Sequence, residues 1–379
     1  MTLRAVVIGT GWAGEGHTLA LRAAGVNVVA LCGRSPEPAN AMAQTMGIED
    51  VRFDWRQAIE ELRPDIVSIA TPAAPHQGMV EFAAQQGCHI LCEKPLGVNA
   101  TEARAMLAAV EQAGIKHAYA STSRYSPACL YAHQLINDGL IGSVHEIESM
   151  GHATLPPLLP FSWLYSLELG GGALNNLFTH KLGQALYITG GKVEAVSGEA
   201  RCQLQRAPVG ESIHDFRTLF TQSVQPDQNT QWREVTADLA YTVMAQIQMP
   251  DGVPSLGLFK FSGNASCRHP EYLAFYGEQG TLHLSGHNAP DHIEHFDRAK
   301  SEWQELSIPP QIMEALPQAN GPVQRDWNHL FREFVADIQG SDHAGYFTFY
   351  DGWLHNEVID IVRSGRGWTP LPADLLEHR

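Results

Sequence analysis

A lysine held between a glutamate and a proline, Glu93-Lys94-Pro95, follows an apolar run that is typical of a β-strand. Well upstream, the glycine-rich segment Gly9–Gly14 (GTGWAG) follows another apolar run. A lysine at the end of a strand in a cofactor crevice is partly removed from water, which lowers its pKa and lets it exchange a proton near neutral pH. The two segments together predict hydride chemistry on a hydroxyl or carbonyl, with Lys94 as the proton carrier and Glu93 orienting it or contacting the cofactor.

The glycine-rich segment has the spacing of a dinucleotide-binding turn. It follows a predicted strand and opens a predicted helix, which is the context that the GxGxxG fingerprint requires. Gly9 permits the tight turn, Gly11 lets the backbone approach a pyrophosphate, and Gly14 allows close packing of the helix on the strand. These glycines and Trp12 form the predicted pyrophosphate site, because a helix N-terminus presents free amides to phosphates.

Predicted strands and helices alternate along the first third of the chain, and they must position this turn and this lysine. Short, nearly continuous apolar runs suit parallel strands that are covered on both faces. Five runs are predicted strands: Ala5–Ile8, Val26–Leu31, Ile66–Ala70, His89–Cys92 and Lys116–Ala120. Segments with helical periodicity separate them: Gly14–Ala24, Pro38–Met46, Trp55–Leu62, His76–Gln86 and Ala100–Ala113. The alternation predicts a doubly wound parallel sheet of the Rossmann type over residues 1–122.

The end of the second predicted strand bears on the choice between NAD and NADP. Sites for NAD usually place an acid roughly 20 residues after the fingerprint, where it binds the ribose 2′-hydroxyl, and Gly33 stands at that point. Without this acid, Arg34 and Ser35 can bind a 2′-phosphate, so NADP is the expected cofactor. The alternative is NAD bound with little ribose recognition, with Arg34 a solvated loop residue.

A second candidate cofactor segment is Thr71-Pro72, which ends the next predicted strand before a helix that begins near His76. Ligands bind at the carboxyl edge of open α/β sheets, and Pro72 fixes the turn at that edge. His76 could there contact the ribose or the nicotinamide. The alternative is that His76 lies at the start of the helix and is exposed to water.

Bulk properties narrow the class of protein. At 379 residues the chain is long for one core, which predicts two domains. A formal net charge of −16 argues against nucleic acid or an anionic membrane as a partner, since both need clustered lysine and arginine. No run reaches about 18 apolar residues, and Ala5–Ile8 is too short for a signal peptide, so a cytoplasmic protein is expected.

Cysteine and histidine do not form metal-site patterns in the sequence. The six cysteines include no CxxC pair, and the 18 histidines include no HExxH motif. Buried free thiols and no metal are therefore expected.

In order along the chain, Gly9–Gly14, Thr71-Pro72 with His76, and Glu93-Lys94-Pro95 resemble the motifs of the glucose–fructose oxidoreductase / inositol dehydrogenase (Gfo/Idh/MocA) family. The resemblance continues through four further segments: Arg124–Pro127, Leu135–Val144, Gly170–His180 and Gly277–Leu284. It implies a Rossmann domain at 1–122 and, at 123–379, an α/β domain with a large, open, mostly antiparallel sheet that binds substrate and forms a homo-oligomer. It also implies NAD(P)-dependent redox chemistry on sugars, cyclitols or glycoside derivatives, with Lys94 as the catalytic and substrate-binding lysine.

The resemblance places further site residues in the second domain. Helical spacing puts Asn176 and His180 on one face, where His180 can act as a general acid/base or hydrogen-bond donor. Arg124 and Tyr125 are expected to contact substrate, and Trp163 to form an aromatic wall, with core packing as the alternative for Trp163.

The sequence departs from the family pattern at three positions. Relatives usually carry aspartate where Asn176 stands and often where Gly183 stands, and a glycine where Phe178 stands. An amide cannot supply a carboxylate's charge to His180, so more of the proton transfer is expected to fall on Lys94 and His180. Phe178 and the lost carboxylates keep two alternatives open: a dehydrogenase of a less polar cyclic alcohol or dihydrodiol, and a non-catalytic cofactor-binding sensor on the same fold.

Overall fold

The computed structural model describes residues 2–155, 158–210, 217, 223–286 and 290–378, without the side chains of 267–270. The first part of the chain alternates strands and helices as the sequence predicts. The elements up to residue 125 are β1 (Arg4–Ile8), α1 (Trp12–Ala23), β2 (Asn27–Cys32), α2 (Pro36–Met46), β3 (Val51–Arg52), α3 (Trp55–Leu62), β4 (Ile66–Ile69), α4 (His76–Gln85), β5 (His89–Cys92), α5 (Ala100–Ala113), β6 (His117–Tyr119) and a 3₁₀ turn, Thr122–Tyr125.

The six strands β1–β6 form one parallel sheet with the order β3-β2-β1-β4-β5-β6. This is the order of a doubly wound dinucleotide-binding fold, and it confirms the Rossmann prediction. Because the strands are parallel, the segments after β1, β2, β4 and β5 lie at the same carboxyl edge. That edge therefore brings the glycine turn, Arg34, Thr71 and Lys94 to one side of the sheet.

A second sheet dominates the rest of the chain. Its nine described strands have the order β16-β15-β14-β13-β7-β12-β11-β8-β17 and pair antiparallel except for β12 with β7. These strands are β7 (Val144–Thr154), β8 (Lys192–Arg201), β11 (Ala240–Gln248), β12 (Pro254–Ser262), β13 (Asn264–Gly277), β14 (Gly280–Ser285), β15 (His292–Asp297), β16 (Glu302–Glu305) and β17 (Thr369–Pro370); β9 (Arg206–Pro208) and β10 (Trp232–Glu234) form a separate pair. The predicted mostly antiparallel sheet is confirmed.

Helices cover one face of this second sheet. They include α6 (Pro127–Asn137), α7 (Thr179–Thr189) and α10 (Phe349–Ser364), which contact its strands. In β12 the side chains alternate, with Phe259 and Phe261 buried on the helix-covered face and Leu256 exposed on the other. An oligomer through that open face stays a prediction, and light scattering of the purified chain would test it.

A late helix packs on the Rossmann part of the molecule. Helix α9 (Pro322–Ile338), which follows α8 (Pro310–Ala315), lies against α1, and its Trp327, Leu330 and Phe331 share a buried cluster with residues of β1 and β2. The chain ends in α11 (Ala373–Glu377). The boundary between residues 122 and 123 stays a prediction, and α9 shows that packing does not follow it strictly.

One strand of the first sheet was not predicted. The two-residue strand β3 is absent from the sequence prediction, because Val51 and Arg52 lack an apolar run and are paired only with Leu31 and Cys32.

Four of the five described cysteines are buried free thiols, and the fifth, Cys202, is exposed. Across the described part of the chain, no helix combines the length and the apolar character that a membrane crossing demands.

Candidate functional site

The turn after β1 is closed too tightly for any residue but glycine. Gly9 has φ of +121°, and a Cβ there would lie 2.3 Å from the carbonyl oxygen of Ala70 at the end of β4. A Cβ on Gly14 would lie 2.0 Å from the carbonyl oxygen of Gly9. The backbone of the turn therefore packs directly against α1 and the neighbouring strand, as the fingerprint predicts.

The N-terminus of α1 is open to a ligand. Gly11 is its N-cap and supplies no side-chain hydrogen bond, so the first amides of the helix have no side-chain acceptor there. Trp12 opens the helix, with its ring centroid 5.0 Å from that of Trp327. Free amides at a positive helix end fit a pyrophosphate, so Gly9, Gly11, Trp12 and Gly14 are suited to hold a dinucleotide.

The segment after β2 presents a cation and a hydroxyl. Arg34 is exposed, and Ser35 is the N-cap of α2 without using its hydroxyl as the cap. Gly33 is confined by packing, since a Cβ there would lie 2.7 Å from the Cβ of Ala39 and 3.1 Å from Oγ1 of Thr10. An acid at position 33 would need the surrounding loop to shift.

Thr71 lies at the end of β4 with its Oγ1 buried and without a hydrogen-bond partner among the described residues. A buried hydroxyl of this kind fits a ligand atom at the carboxyl edge of the sheet. The adjoining Pro72 is exposed.

His76 is fully buried, so the alternative of a histidine exposed to water is wrong. Its Nε2 lies 2.9 Å from the carbonyl oxygen of Thr71, and its Nδ1 lies 3.0 Å from that of Leu96 and 3.3 Å from Sγ of Cys92. Both ring nitrogens therefore face protein atoms of the loops after β4 and β5. The predicted direct contact with the cofactor stays a prediction, and the geometry suits a residue that positions these loops.

Lys94 lies immediately after β5, half-buried, with its ammonium directed at the second domain. Its Nζ donates to Oδ1 of Asn176 at 3.3 Å and approaches the carbonyl oxygen of Asn176 at 3.5 Å. Burial lowers the pKa of Lys94 below its ordinary value, while the Glu93 carboxylate offsets part of this shift. The ammonium faces neutral acceptors, so its proton is the more easily released.

Glu93 is held by a buried network that the sequence prediction missed. Its Oε1 lies 3.0 Å from Nε2 of His17 and accepts from Nε1 of Trp327 at 3.3 Å, while the Nδ1 of His17 lies 2.9 Å from Oγ of Ser68. Oε2 of Glu93 accepts from the backbone amide of Lys94 at 3.1 Å. Burial acts to raise the pKa of Glu93, yet the hydrogen bond and charge of His17 and the charge of Lys94 hold that pKa below its ordinary value. The network links α1 and α9 to the backbone of the lysine.

Replacing His17 by glutamine tests whether this network is charge-assisted. We expect His17→Gln to cost about 1–2 kcal/mol of unfolding free energy, because an amide can keep a donor at Glu93 but cannot carry a charge. Urea unfolding measures the cost, and the same substitution in a Glu93→Gln background should cost less than half as much. Equal costs in both backgrounds would show that the two side chains are not coupled.

Asn176 and His180 lie on one continuous helical segment that begins with a π-helical turn, Leu174–Phe178, and continues as α7. The regular α-helical spacing expected from the sequence is therefore wrong for this turn, which is wider; such turns are frequent at functional sites. Nδ2 of Asn176 donates to the carbonyl oxygen of Gly172 at 2.8 Å. That bond turns Oδ1 towards Lys94, whose ammonium can only donate.

His180 is bound to the 3₁₀ turn Thr122–Tyr125 rather than to Asn176. Its Nδ1 lies 3.0 Å from Oγ of Ser123. Burial, followed by the positive charges of Lys94 and Lys181, holds the pKa of His180 well below its ordinary value. The imidazole is therefore neutral at physiological pH and sits within the electrostatic reach of Lys94.

A buried ion pair anchors the start of this helical segment. Arg363 of α10 donates from Nε and Nη2 to Oδ1 of Asp238 at 3.0 and 2.6 Å, and Oδ2 of Asp238 accepts from the amide of Leu174 at 2.8 Å. Gly172 has φ of +105°, and a Cβ there would lie 2.8 Å from Oδ1 of Asp238. The pair thus fixes the turn that delivers Asn176, and its partners are too distant in sequence to have been predicted.

The other residues predicted to contact substrate do not lie beside Lys94 and Asn176 in the contacts that the structure shows. Tyr125 is 2% exposed and stacks on His329 with centroids 4.4 Å apart, while Arg124 lines a cavity whose described lining residues include neither Lys94 nor His180. Trp163 is half-buried in a 3₁₀ turn, Trp163–Tyr165, next to Gly171. Direct substrate contact by these three stays a prediction, and the packing of Tyr125 argues against it.

Phe178 does not line the site. It is fully buried, and its ring makes edge contacts with Tyr241 and Phe259 of the second sheet at 5.6 and 5.5 Å. The inference of an apolar substrate pocket from Phe178 is therefore wrong, because this ring belongs to the core beneath the helix.

Two family models match the sequence. One, described as an oxidoreductase family with an NAD-binding Rossmann fold, matches residues 3–120, and the other, the GFO/IDH/MocA C-terminal domain, matches residues 129–283. Levoglucosan dehydrogenase of Pseudarthrobacter phenanthrenivorans is 33% identical over 292 residues, which are 73% of this chain and 72% of that protein. Inositol 2-dehydrogenase of Rhizobium meliloti is 26% identical over 229 residues, 60% of this chain and 67% of that protein.

Solved structures share the fold. Levoglucosan dehydrogenase in complex with NADH and L-sorbose superposes with a TM-score of 0.81 at 23% identity, covering 98% of this chain and 99% of that one. An oxidoreductase domain protein from Kribbella flavida gives a TM-score of 0.82 at 24% identity over 98% of this chain and 99% of that one. With the glycine turn, the half-buried lysine after β5 and the large second sheet, these matches place the chain in the Gfo/Idh/MocA family of NAD(P)-dependent oxidoreductases.

Proposed function

We propose that the protein transfers a hydride between a nicotinamide cofactor and a hydroxyl or carbonyl carbon of a sugar, cyclitol or glycoside derivative. The observation that carries this proposal is the half-buried Lys94, whose pKa is lowered by burial and whose ammonium faces the amide of Asn176. It lies at the same sheet edge as the glycine turn. Relatives named as dehydrogenases of levoglucosan and of inositol support the substrate class.

Each side chain has a role that its surroundings support. A bound nicotinamide ring supplies the hydride acceptor or donor. Lys94 takes the proton of the reacting hydroxyl in oxidation and returns it in reduction, since burial lowers its pKa and so favours the neutral amine that accepts the proton. The neutral imidazole of His180, oriented through Ser123, can hydrogen-bond the same oxygen, and Asn176 holds the lysine in place.

A panel of polyols tests the proposal. Levoglucosan, myo-inositol, free aldoses and alkyl glucosides should be oxidised, with reduced cofactor followed at 340 nm, and an apolar cyclic diol serves as the control. Turnover of the polyols alone supports the proposal. Preference for the apolar diol would favour the dihydrodiol alternative, and cofactor binding without any turnover would favour the sensor alternative.

We propose further that NADP is the preferred cofactor. The support is the exposed Arg34, the uncommitted hydroxyl of Ser35 at the N-terminus of α2, and the absence of an acid at Gly33. A 2′-phosphate there would meet a guanidinium, a hydroxyl and the positive end of a helix.

Arg34→Ala is expected to weaken NADPH binding by about tenfold or more and to leave NADH binding unchanged, because only NADPH carries the phosphate that Arg34 would bind. Fluorescence titration of both cofactors measures this, with the exposed Arg366→Ala as the control. Replacing Gly33 by aspartate is a poorer test, since its Cβ would collide with Ala39. Tighter NADH than NADPH binding in the unmodified protein would contradict the preference.

A further inference from the structure

A cavity of about 270 Å³ lies beside α7, the helix that carries His180. Three segments enclose it: the 3₁₀ turn Thr122–Tyr125, helix α7, and the chain from Tyr346 into α10. Its lining residues are Arg124, Gly183, Leu186, Tyr187, Gly190, Gly191, Tyr346, Phe347, Asp351 and His355. The volume is close to the lower end of small-molecule sites, about 300–1,000 Å³.

The positively charged group that lines this cavity is the buried guanidinium of Arg124. Arg124 is 9% exposed, and its Cζ lies 4.0 Å from the ring centroid of Tyr187 and 4.6 Å from that of Phe347. Among the described residues it forms no ion pair within 4.0 Å, and its Nε has no hydrogen-bond partner. The hydroxyl of Tyr187 and the two ring faces are weak substitutes for a carboxylate, so among the described residues this buried positive charge has no carboxylate within ion-pair distance.

The other ionisable groups around the cavity do not compensate Arg124. Oδ2 of Asp351 accepts from the amide and the hydroxyl of Thr348 at 2.8 and 3.3 Å, as part of the capping box of α10. The Tyr346 hydroxyl donates to Asp337 at 2.6 Å. Burial lowers the pKa of His355 to about 3, so its imidazole is neutral. The cavity therefore holds one cation that is free to bind an anion and one acid that is already engaged.

We propose that this cavity is a binding site for a small organic carboxylate, held by the guanidinium of Arg124 between Tyr187 and Phe347. A carboxylate matches the two-pronged donor geometry of arginine. A monoanion is favoured over a phosphate or sulfate dianion, because Arg124 is the one cation among the described lining residues and balances a single charge. The site is separate from the catalytic side chains, yet Gly183 in its wall lies one helical turn after His180.

A substitution at Gly183 can fill the cavity with a side chain of the protein itself. A Cβ at this position would lie 3.1–3.4 Å from Phe347, Ser121 and His355, which is tight but not closed. Gly183→Asp would place a carboxylate in the cavity, and Gly183→Asn would fill the same space without a charge. The two variants separate occupancy of the cavity from neutralisation of Arg124.

The test is calorimetric titration of the full chain with acetate at low ionic strength, with acetamide as the uncharged control. Acetate should bind and acetamide should not, and binding should be about tenfold weaker or more in Arg124→Gln and in Gly183→Asp. Lys94→Ala should still bind acetate. The melting temperature of Gly183→Asp should exceed that of Gly183→Asn, which remains informative if Arg124→Gln does not fold.

Several results would overturn the proposal. They are equal response to acetate and acetamide, loss of acetate binding in Lys94→Ala, or binding that persists unchanged in Gly183→Asp. Equal melting temperatures of the Gly183 variants would show that Arg124 needs no counter-charge. Tighter binding of inorganic phosphate than of acetate would assign the cavity to a different class of anion.

Discussion

Replacing Lys94 by alanine is expected to lower kcat for alcohol oxidation by about 10²–10⁴-fold, the range that a positioned proton acceptor supplies. The physical reason is that no other described group near Asn176 has a pKa suited to the task. The His180 imidazole has its pKa held well below the ordinary value, and the carboxylate of Glu93 is engaged by His17 and Trp327. Steady-state kinetics on the best polyol of the panel measures the loss.

Measuring cofactor affinity shows whether Lys94→Ala has lost the proton-transfer step or its folded structure. Binding of the reduced cofactor should change little, because the predicted phosphate contacts lie at the glycine turn and Arg34. Lys116→Ala is the matched control, since Lys116 is an exposed lysine paired with Asp337 at 2.8 Å. Added ethylamine should restore part of the lost rate in Lys94→Ala and none in the control. A Lys94→Ala enzyme within a few-fold of normal kcat would contradict the proposed role.

Local signals made the nucleotide-binding half predictable from the sequence. Five of its six strands lie in apolar runs, and four of its five helices begin near a polar cap or a proline, as with Asp54 before Trp55 and Asn99 before Ala100. The glycine turn could be predicted because most of the contacts that require glycine there lie within one βα unit. The contact of Gly9 with Ala70 is the exception. The right-handedness of βαβ crossovers fixes the face of the sheet on which each helix lies.

The second domain depends on pairings that no local pattern encodes. Strand β7 pairs with β12 through Gly257 and Ile147, more than 100 positions apart, and the strand order could not be read from alternation alone. The π-helical turn was equally unpredictable, because its first residue, Leu174, is bound by Asp238, 64 positions later, which Arg363 binds in turn.

The same distinction applies to the site. Lys94 and His180 could be identified from the sequence because each is a titratable residue within a recognisable motif. His17 carries a weaker signal, a polar residue on α1 one turn after Gly14 and close to the buried Ala20 and Leu21. Trp327 carries none, since it reaches Glu93 from a helix 234 residues later. Phe178 misled because its position in the motif suggested the pocket, whereas its packing is on the sheet.

Asn176→Asp is expected to raise the pKa of Lys94, because it places a carboxylate where Oδ1 now lies, 3.3 Å from Nζ. Oxidation needs the neutral lysine, so its rate increases as pH rises through that pKa. The acidic limb of the pH profile of kcat/KM for oxidation should therefore move to higher pH. Near neutral pH, oxidation should slow while carbonyl reduction, which needs the protonated lysine, is maintained.

The matched control for this change is Asn175→Asp. Asn175 donates from Nδ2 to the carbonyl oxygen of Gly171 at 2.9 Å, as Asn176 does to Gly172, so both substitutions lose the same kind of bond. Only Asn176 faces the lysine, whereas Oδ1 of Asn175 accepts from Arg363 at 3.4 Å. A shift of the acidic limb in Asn176→Asp alone would show that the amide keeps Lys94 easily deprotonated. A limb that stays in place in both variants would assign it to another group, and His180 would then be the side chain to replace next.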